Sequence, residues 1–127
     1  MAITSYFYQL LIHLKKNNLI DTSETKSIFE LGEQNWYGDV KLNDLLSTVK
    51  IYTHSDIKNE LVERLENILD LVELSRNDKP YTYALIRPYT FELAKIFYKT
   101  IFNYNNYSAI DLHGTEVSIK FDLNYEY

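Results

Sequence analysis

Residues 55–74 read SDIKNELVERLENILDLVEL, and two opposed patterns run along them. At 100° per residue Ile57, Leu61, Leu65, Ile68 and Val72 fall on one side of a helix, while Asp56, Glu60, Glu63, Glu66, Asp70 and Glu73 gather on the other. The first set predicts a core-facing stripe and the second an acidic surface, with Ser55 as the expected cap. Near the N-terminus, Thr4 or Ser5 precedes Phe7, Leu10, Leu11 and Leu14, whose i, i+3, i+4, i+7 spacing predicts a helix ending near Asn17 and Asn18. Asp21 followed by Glu24 resembles a capping box and predicts a short helix through Ile28 and Leu31, stopped by Gly32. Residues 33–39, EQNWYGD, are expected to form a loop anchored to the core by Trp36. Asp39 then caps a predicted helix with Leu42, Leu45, Leu46, Val49 and Tyr52 on one face, although its tail STVKIYTH is β-branched enough to suit a strand.

After the polar loop SRNDKP, residues 81–102 are the most apolar and aromatic part of the chain. Pro88 divides them, because its ring clashes with the preceding turn and it lacks an N–H. A short helix over 81–87 and a longer one over about 88–103 follow. In the longer one Phe91, Ala94, Phe97, Tyr98, Ile101 and Phe102 form a wide face extended by Leu93 and Ile96, so it should be the central, buried helix. The period then changes. Val117, Ile119, Phe121 and Leu123 alternate with Ser118, Lys120, Asp122 and Asn124, and His113–Gly114 offers a turn, which predicts a β-hairpin with one buried face. The expected fold is mainly α (α+β): one globular domain over 1–127, five or six helices spanning about 4–103, and a C-terminal antiparallel β-hairpin over about 109–124.

The net charge of −5 is concentrated: in 55–74 six acids face Lys58 and Arg64, a local −4, which leaves −1 for everything else. Such a balance argues against direct nucleic-acid binding, which needs Lys and Arg against phosphates, and favours a basic protein partner. With no cysteine, thiolate catalysis and disulfide scaffolding are excluded. The start of the chain lacks a basic targeting segment, its apolar run is interrupted by Gln9 and His13, and no window approaches a membrane span, so a cytoplasmic location is expected. Twelve tyrosines, eleven asparagines and only three glycines suggest a surface built for contact.

Chemistry is sparse. His13, His54 and His113 are far apart with no second ligand nearby, so no metal site is expected. No glycine-rich phosphate loop exists, and no cofactor is implied. Arg87, beside Pro88 in apolar surroundings, should pair with Glu92. The pattern therefore points to a non-catalytic protein-binding inhibitor of the immunity-protein or phage anti-defence type. Asp56, Glu60, Glu63, Glu66, Asp70 and Glu73, helped by Tyr81 and Tyr83, would cover the basic surface of a toxin or nucleic-acid-processing enzyme. The alternative is a module that self-associates, as a homodimer, through the hairpin edge or an apolar helix face. A small enzyme using His54, Glu60 and Arg87 is the third reading.

Overall fold

The computed structural model describes residues 2–21 and 26–121. Strand β1 (Ala2–Ile3) leads into α1 (Ser5–Lys16), whose first turn is capped by Thr4 Oγ1 accepting from the Phe7 amide at 3.4 Å. At its other end Asn18 takes the left-handed conformation (φ 56°), and the amides of Asn18 and Leu19 donate back to the carbonyls of Lys15 and Leu14. That pair of bonds is a Schellman closure, with asparagine where glycine is usual. Asparagine also takes positive φ at the ends of α3 (Ser55–Arg76), at Asn77, and of α5 (Thr90–Phe102), at Asn103. Part of the asparagine excess thus supplies left-handed turns in a chain poor in glycine.

Between them lie β2 (Lys26–Leu31), β3 (Asn35–Trp36), α2 (Leu42–Tyr52) and, ahead of α5, the single turn α4 (Tyr83–Ile86), joined to α5 by a 3₁₀ turn over Arg87–Tyr89. Strand β4 (Tyr104–Ile110) follows α5, and β5 (Ser118–Ile119) closes the described chain. All strand pairs are parallel: β1 with β3, and β2-β4-β5 in that order. β2 runs beside β4 from Ser27↔Asn106 to Leu31↔Ile110, and the helices α2 to α5 form the crossover that parallel pairing requires.

Helix α5 is the axis of the core. Leu93, Ala94, Ile96, Phe97, Tyr98, Thr100 and Ile101 are all buried, as its all-round apolar pattern demands. Phe97 packs against Tyr8 from α1 (centroids 4.9 Å apart) and edge-on against Trp36 from β3 (5.8 Å). Trp36 is therefore the core anchor of its loop. Buried hydroxyls pair across helices: Tyr8 with Thr48, and Thr53 with Thr100 at 2.8 Å.

Four expectations are corrected. First, the described chain has four long helices and a single-turn α4, not a bundle of five or six. Second, Ile28 and Leu31 belong to strand β2; exposure alternates over Ser27, Ile28, Phe29, Glu30 and Leu31, and six residues of pairing with β4 override the weak helical pattern. Glu24 of the supposed capping box lies outside the described residues. Third, the C-terminal segment is no antiparallel hairpin. β5 runs parallel to β4, and the buried side chain is Ser118, with Val117 and Ile119 exposed, the opposite face to that expected. Gly114 does not make a hairpin turn; a Cβ there would collide with Glu33 Oε2 and Ser118 Oγ, so glycine is needed for close approach. Residues 122–124, which completed the alternation, lie outside the described residues. Fourth, the caps differ: Lys41 precedes α2 without a side-chain cap, and Asp39 instead accepts from the Ser5 amide at 2.9 Å, while His54 rather than Ser55 caps α3.

No helix among the described residues is long and apolar enough to cross a membrane. Phe97→Ala should cost about 3–5 kcal/mol, because three aromatic neighbours cannot collapse into the space, whereas Leu10→Ala on the exposed side of α1 should cost under about 1 kcal/mol. Urea unfolding of the two variants checks this contrast.

Candidate partner-binding face

The two faces of α3 separate as its spacing dictates: Leu61, Leu65, Ile68 and Val72 are buried, and Asp56, Glu60, Glu63, Glu66, Asp70 and Glu73 are all exposed. The helix runs two residues beyond the acidic pattern to Arg76, so its six acids face Lys58, Arg64 and Arg76, a net of −3. The six are not one cluster, since Asp56 and Glu73 are about 26 Å apart along the axis at 1.5 Å per residue. Three have nearby basic side chains: Asp56 with the His54 ring (3.4 Å), Glu66 with Lys50 (3.9 Å) and Glu73 with Arg76 (3.1 Å). Glu60, Glu63 and Asp70 have no ion pair among the described residues. Exposed pairs of this kind contribute little stability.

Arg64, in contrast, reaches across to α5 and clasps Glu92 with two hydrogen bonds, Nη2 to Oε2 at 2.7 Å. Glu92 is therefore the partner of Arg64, and Arg87, expected to hold it, is exposed. That hydrogen bond pushes the Arg64 guanidinium above its ordinary pKa.

Apolar groups join the acids at the C-terminal half of α3. Leu74 is 77% exposed within the acidic stripe, and Leu71 is exposed beside it. Tyr81 comes back against this end of the helix, where it shares with Glu73 and Arg76 the lining of a cavity of about 350 Å³ between the start of α2 and the end of α3. Its ring is half-exposed, and burial pushes its phenol up. Arg76 Nε is buried there without a hydrogen-bond partner among the described residues. Tyr83 does something else: its ring lies against Gly38 and its hydroxyl donates to the Trp36 carbonyl at 3.4 Å, tying α4 to β3. Both expected aromatic anchors are exposed; Tyr81 borders a cavity with Glu73, and Tyr83 in addition bonds the Trp36 carbonyl.

A second polar centre has no counterpart in the sequence reading. Glu33, 1% exposed, receives Lys95 from α5, the Thr115 amide (2.6 Å), the Thr115 hydroxyl (2.7 Å) and the Ser118 hydroxyl (2.7 Å). Its own amide donates to Asp111 Oδ2 at 2.9 Å. Burial alone would raise this carboxyl, but the bonds from Lys95, Ser118 and Thr115 outweigh it and bring the pKa down to about 2. These partners lie 62 to 85 residues away, so no local motif announces them. The only hint is a charged residue three positions before the sole tryptophan.

His13, His54 and His113 do not converge, and no group of three metal-ligating side chains occurs among the described residues. The His54 ring is engaged with Asp56, Glu60 has no ion pair, and Arg87 is exposed, so the three do not form a hydrogen-bonded constellation. No family model matches the chain, and no curated protein or solved structure is significantly similar to it.

Because the folded pKa of Glu33 lies below its ordinary 4.5, its ionised form stabilises the fold above about pH 4.5, by a contribution on the order of 3 kcal/mol that is lost as pH falls toward 2. Glu33→Gln should therefore lower stability at pH 7 by about 3 kcal/mol and give a shallower loss between pH 5 and 3 than the parent chain. Urea unfolding across that range reads both; parallel pH profiles would refute the assignment.

Proposed function

We propose that this chain is a non-catalytic protein-binding inhibitor of the immunity or anti-defence type, and that the acidic face of α3 covers the basic surface of its partner. The observation that carries this reading is the mixed surface at the C-terminal half of α3, where Asp70 and Glu73 flank the exposed Leu74 and Glu73 also borders the cavity lined by Tyr81. An acidic field speeds encounter with a basic partner, and apolar anchors within it slow dissociation. A nucleic-acid-processing enzyme offers the basic groove that such a face fits. The fit also accounts for why the acids are distributed over about 26 Å, a length suited to a groove rather than to a single bound ion.

The test has two arms. A partner captured with the native chain should lose activity at equimolar ratio, and Glu63→Lys/Asp70→Lys should slow association about ten-fold or more at low ionic strength, with the gap closing as salt screens the charges. Leu74→Ser should act mainly on dissociation. Unchanged association kinetics in the charge-reversed variant would remove α3 from the interface.

A second reading, self-association, is favoured by a separate observation. The outward face of the β2-β4-β5 sheet carries exposed Phe29, Leu31 and Ile119, and β2 and β5 are both edge strands. The edge invoked is now a parallel sheet's, in place of the expected hairpin's. Sizing at two concentrations checks it: a monomer at both excludes this reading.

A further inference from the structure

Strand β2 meets α1 and α5 around a cavity of about 240 Å³ lined by Phe7, Ile28, Phe29, Glu30, Tyr98 and Phe102. Glu30 is the one acid in this lining. The Tyr107 hydroxyl and the Gln34 amide, the latter at 3.1 Å, both donate to its Oε2, and the Tyr98 hydroxyl also hydrogen-bonds this carboxylate. All three donors are neutral, and among the described residues no cation stands within ion-pair distance of this carboxylate. A carboxylate has about four acceptor positions, so capacity for one further donor remains.

Elsewhere along the seam the chain supplies its own cations. Lys95 pairs with Glu33 while lying 4.9 Å from the centre of the Tyr107 ring, and Lys99 lies 5.3 Å from the centre of Tyr104. Glu30 reaches Lys95 only through the Tyr107 ring and has no direct ion pair among the described residues. Tyr98 and Phe102 meet at 66° with centroids 5.7 Å apart, so two ring planes turn a corner in the cavity lining. Phe7 and Phe29 add two more rings, and Phe29 is 57% exposed at the edge strand, where a ligand would enter. Burial, the Glu30 charge and a hydrogen bond to Glu30 push the Tyr98 phenol up, and burial with the same charge takes the Tyr104 phenol to about 12, so both stay neutral beside the acid. Ring faces and a carboxylate together match one ligand chemistry, a cation with an apolar body: the rings attract it by cation–π interaction and offer no ligands to a metal ion.

We infer that the cavity bounded by Phe7, Phe29, Glu30, Tyr98 and Phe102 is a binding site for an alkylammonium group. The cationic head pairs with Glu30, its alkyl part lies against Ile28 and the rings, and the available volume limits the guest to a small amine or the end of a lysine side chain. This site is independent of the α3 face, and its failure would leave the partner-binding reading untouched.

The test is titration of the full chain, followed by NMR, with n-butylammonium against the neutral isostere n-butanol. The expected result is saturable shifts at the five bounding residues, with n-butylammonium binding about ten-fold more tightly than n-butanol. Glu30→Gln should bring that ratio near one. Phe29→Ala, at a position exposed enough to leave the fold intact, should weaken n-butylammonium several-fold, which keeps the test decisive if Glu30→Gln perturbs Tyr107. Capped lysine in the same titration distinguishes the sources: binding comparable to n-butylammonium admits a protein side chain, binding of the free amine alone confines the site to small molecules, and either supports the cationic head. Equal affinity for butanol, or full binding retained by Phe29→Ala, overturns the inference.

Discussion

The arrangement of the sheet depends on one buried carboxylate. Glu33 sits where the end of β2, the loop before β3, α5 and the loop 111–117 converge, and it accepts hydrogen bonds from Lys95, Thr115 and Ser118 at once. A carboxylate taken from water is costly unless charge and hydrogen bonds replace its hydration, and these four donors do so. To reach Glu33, Ser118 must face inward and Gly114 must pass close to the carboxylate. Both requirements fix the course of the chain from β4 to β5. The consequence is a parallel strand with Ile119 turned outward.

That outward turn links the internal constraint to the surface. Had hydrophobicity alone decided, Val117 and Ile119 would lie against the core and Ser118 in water. Satisfying Glu33 reverses this and leaves Ile119 of β5 exposed, beside the exposed apolar residues of β2 in the same sheet. The acidic face of α3 arises differently, from a helix long enough to need only its inner stripe for packing. The molecule thus offers two unlike surfaces, one charged and one apolar, from two separate causes. The proposed capture of a basic partner rests on the first, and self-association would use the second.

The parts of this architecture that the sequence made legible are those governed by local period. The stripes of α1, α2, α3 and α5 repeat every three to four residues, and each became a helix; most of the expected apolar positions face the core, but in α1 Leu10 of the expected stripe is exposed and Tyr8 is buried in addition to Leu11. Trp36 and the all-round apolar α5 were legible for the same reason, since large apolar groups have one favourable place to go. Strand β2 was not legible, because KSIFEL has too few residues to distinguish a helical from an alternating pattern until β4 pairs with it. Nor was the inward Ser118: its cause is a carboxylate 85 residues earlier, beyond the reach of any spacing rule. The acidic residues of the candidate face could be named from sequence, as could Tyr81. Their grouping with Leu74, the diversion of Tyr83 to the Trp36 carbonyl and the Arg64–Glu92 bridge required three dimensions.

The organising role of Glu33 is tested most directly by amide hydrogen exchange, comparing the parent chain with Glu33→Gln. In the parent, the amides of Glu33, Asp111, Thr115 and Ser118 donate to Asp111, Ile119, Glu33 and Thr115 respectively, and all four are expected to exchange slowly. In the variant they should lose protection together, while amides in the middle of α3 and α5 retain most of theirs. Fast exchange of Thr115 and Asp111 in the parent chain, or unaltered protection in the variant, would contradict the account.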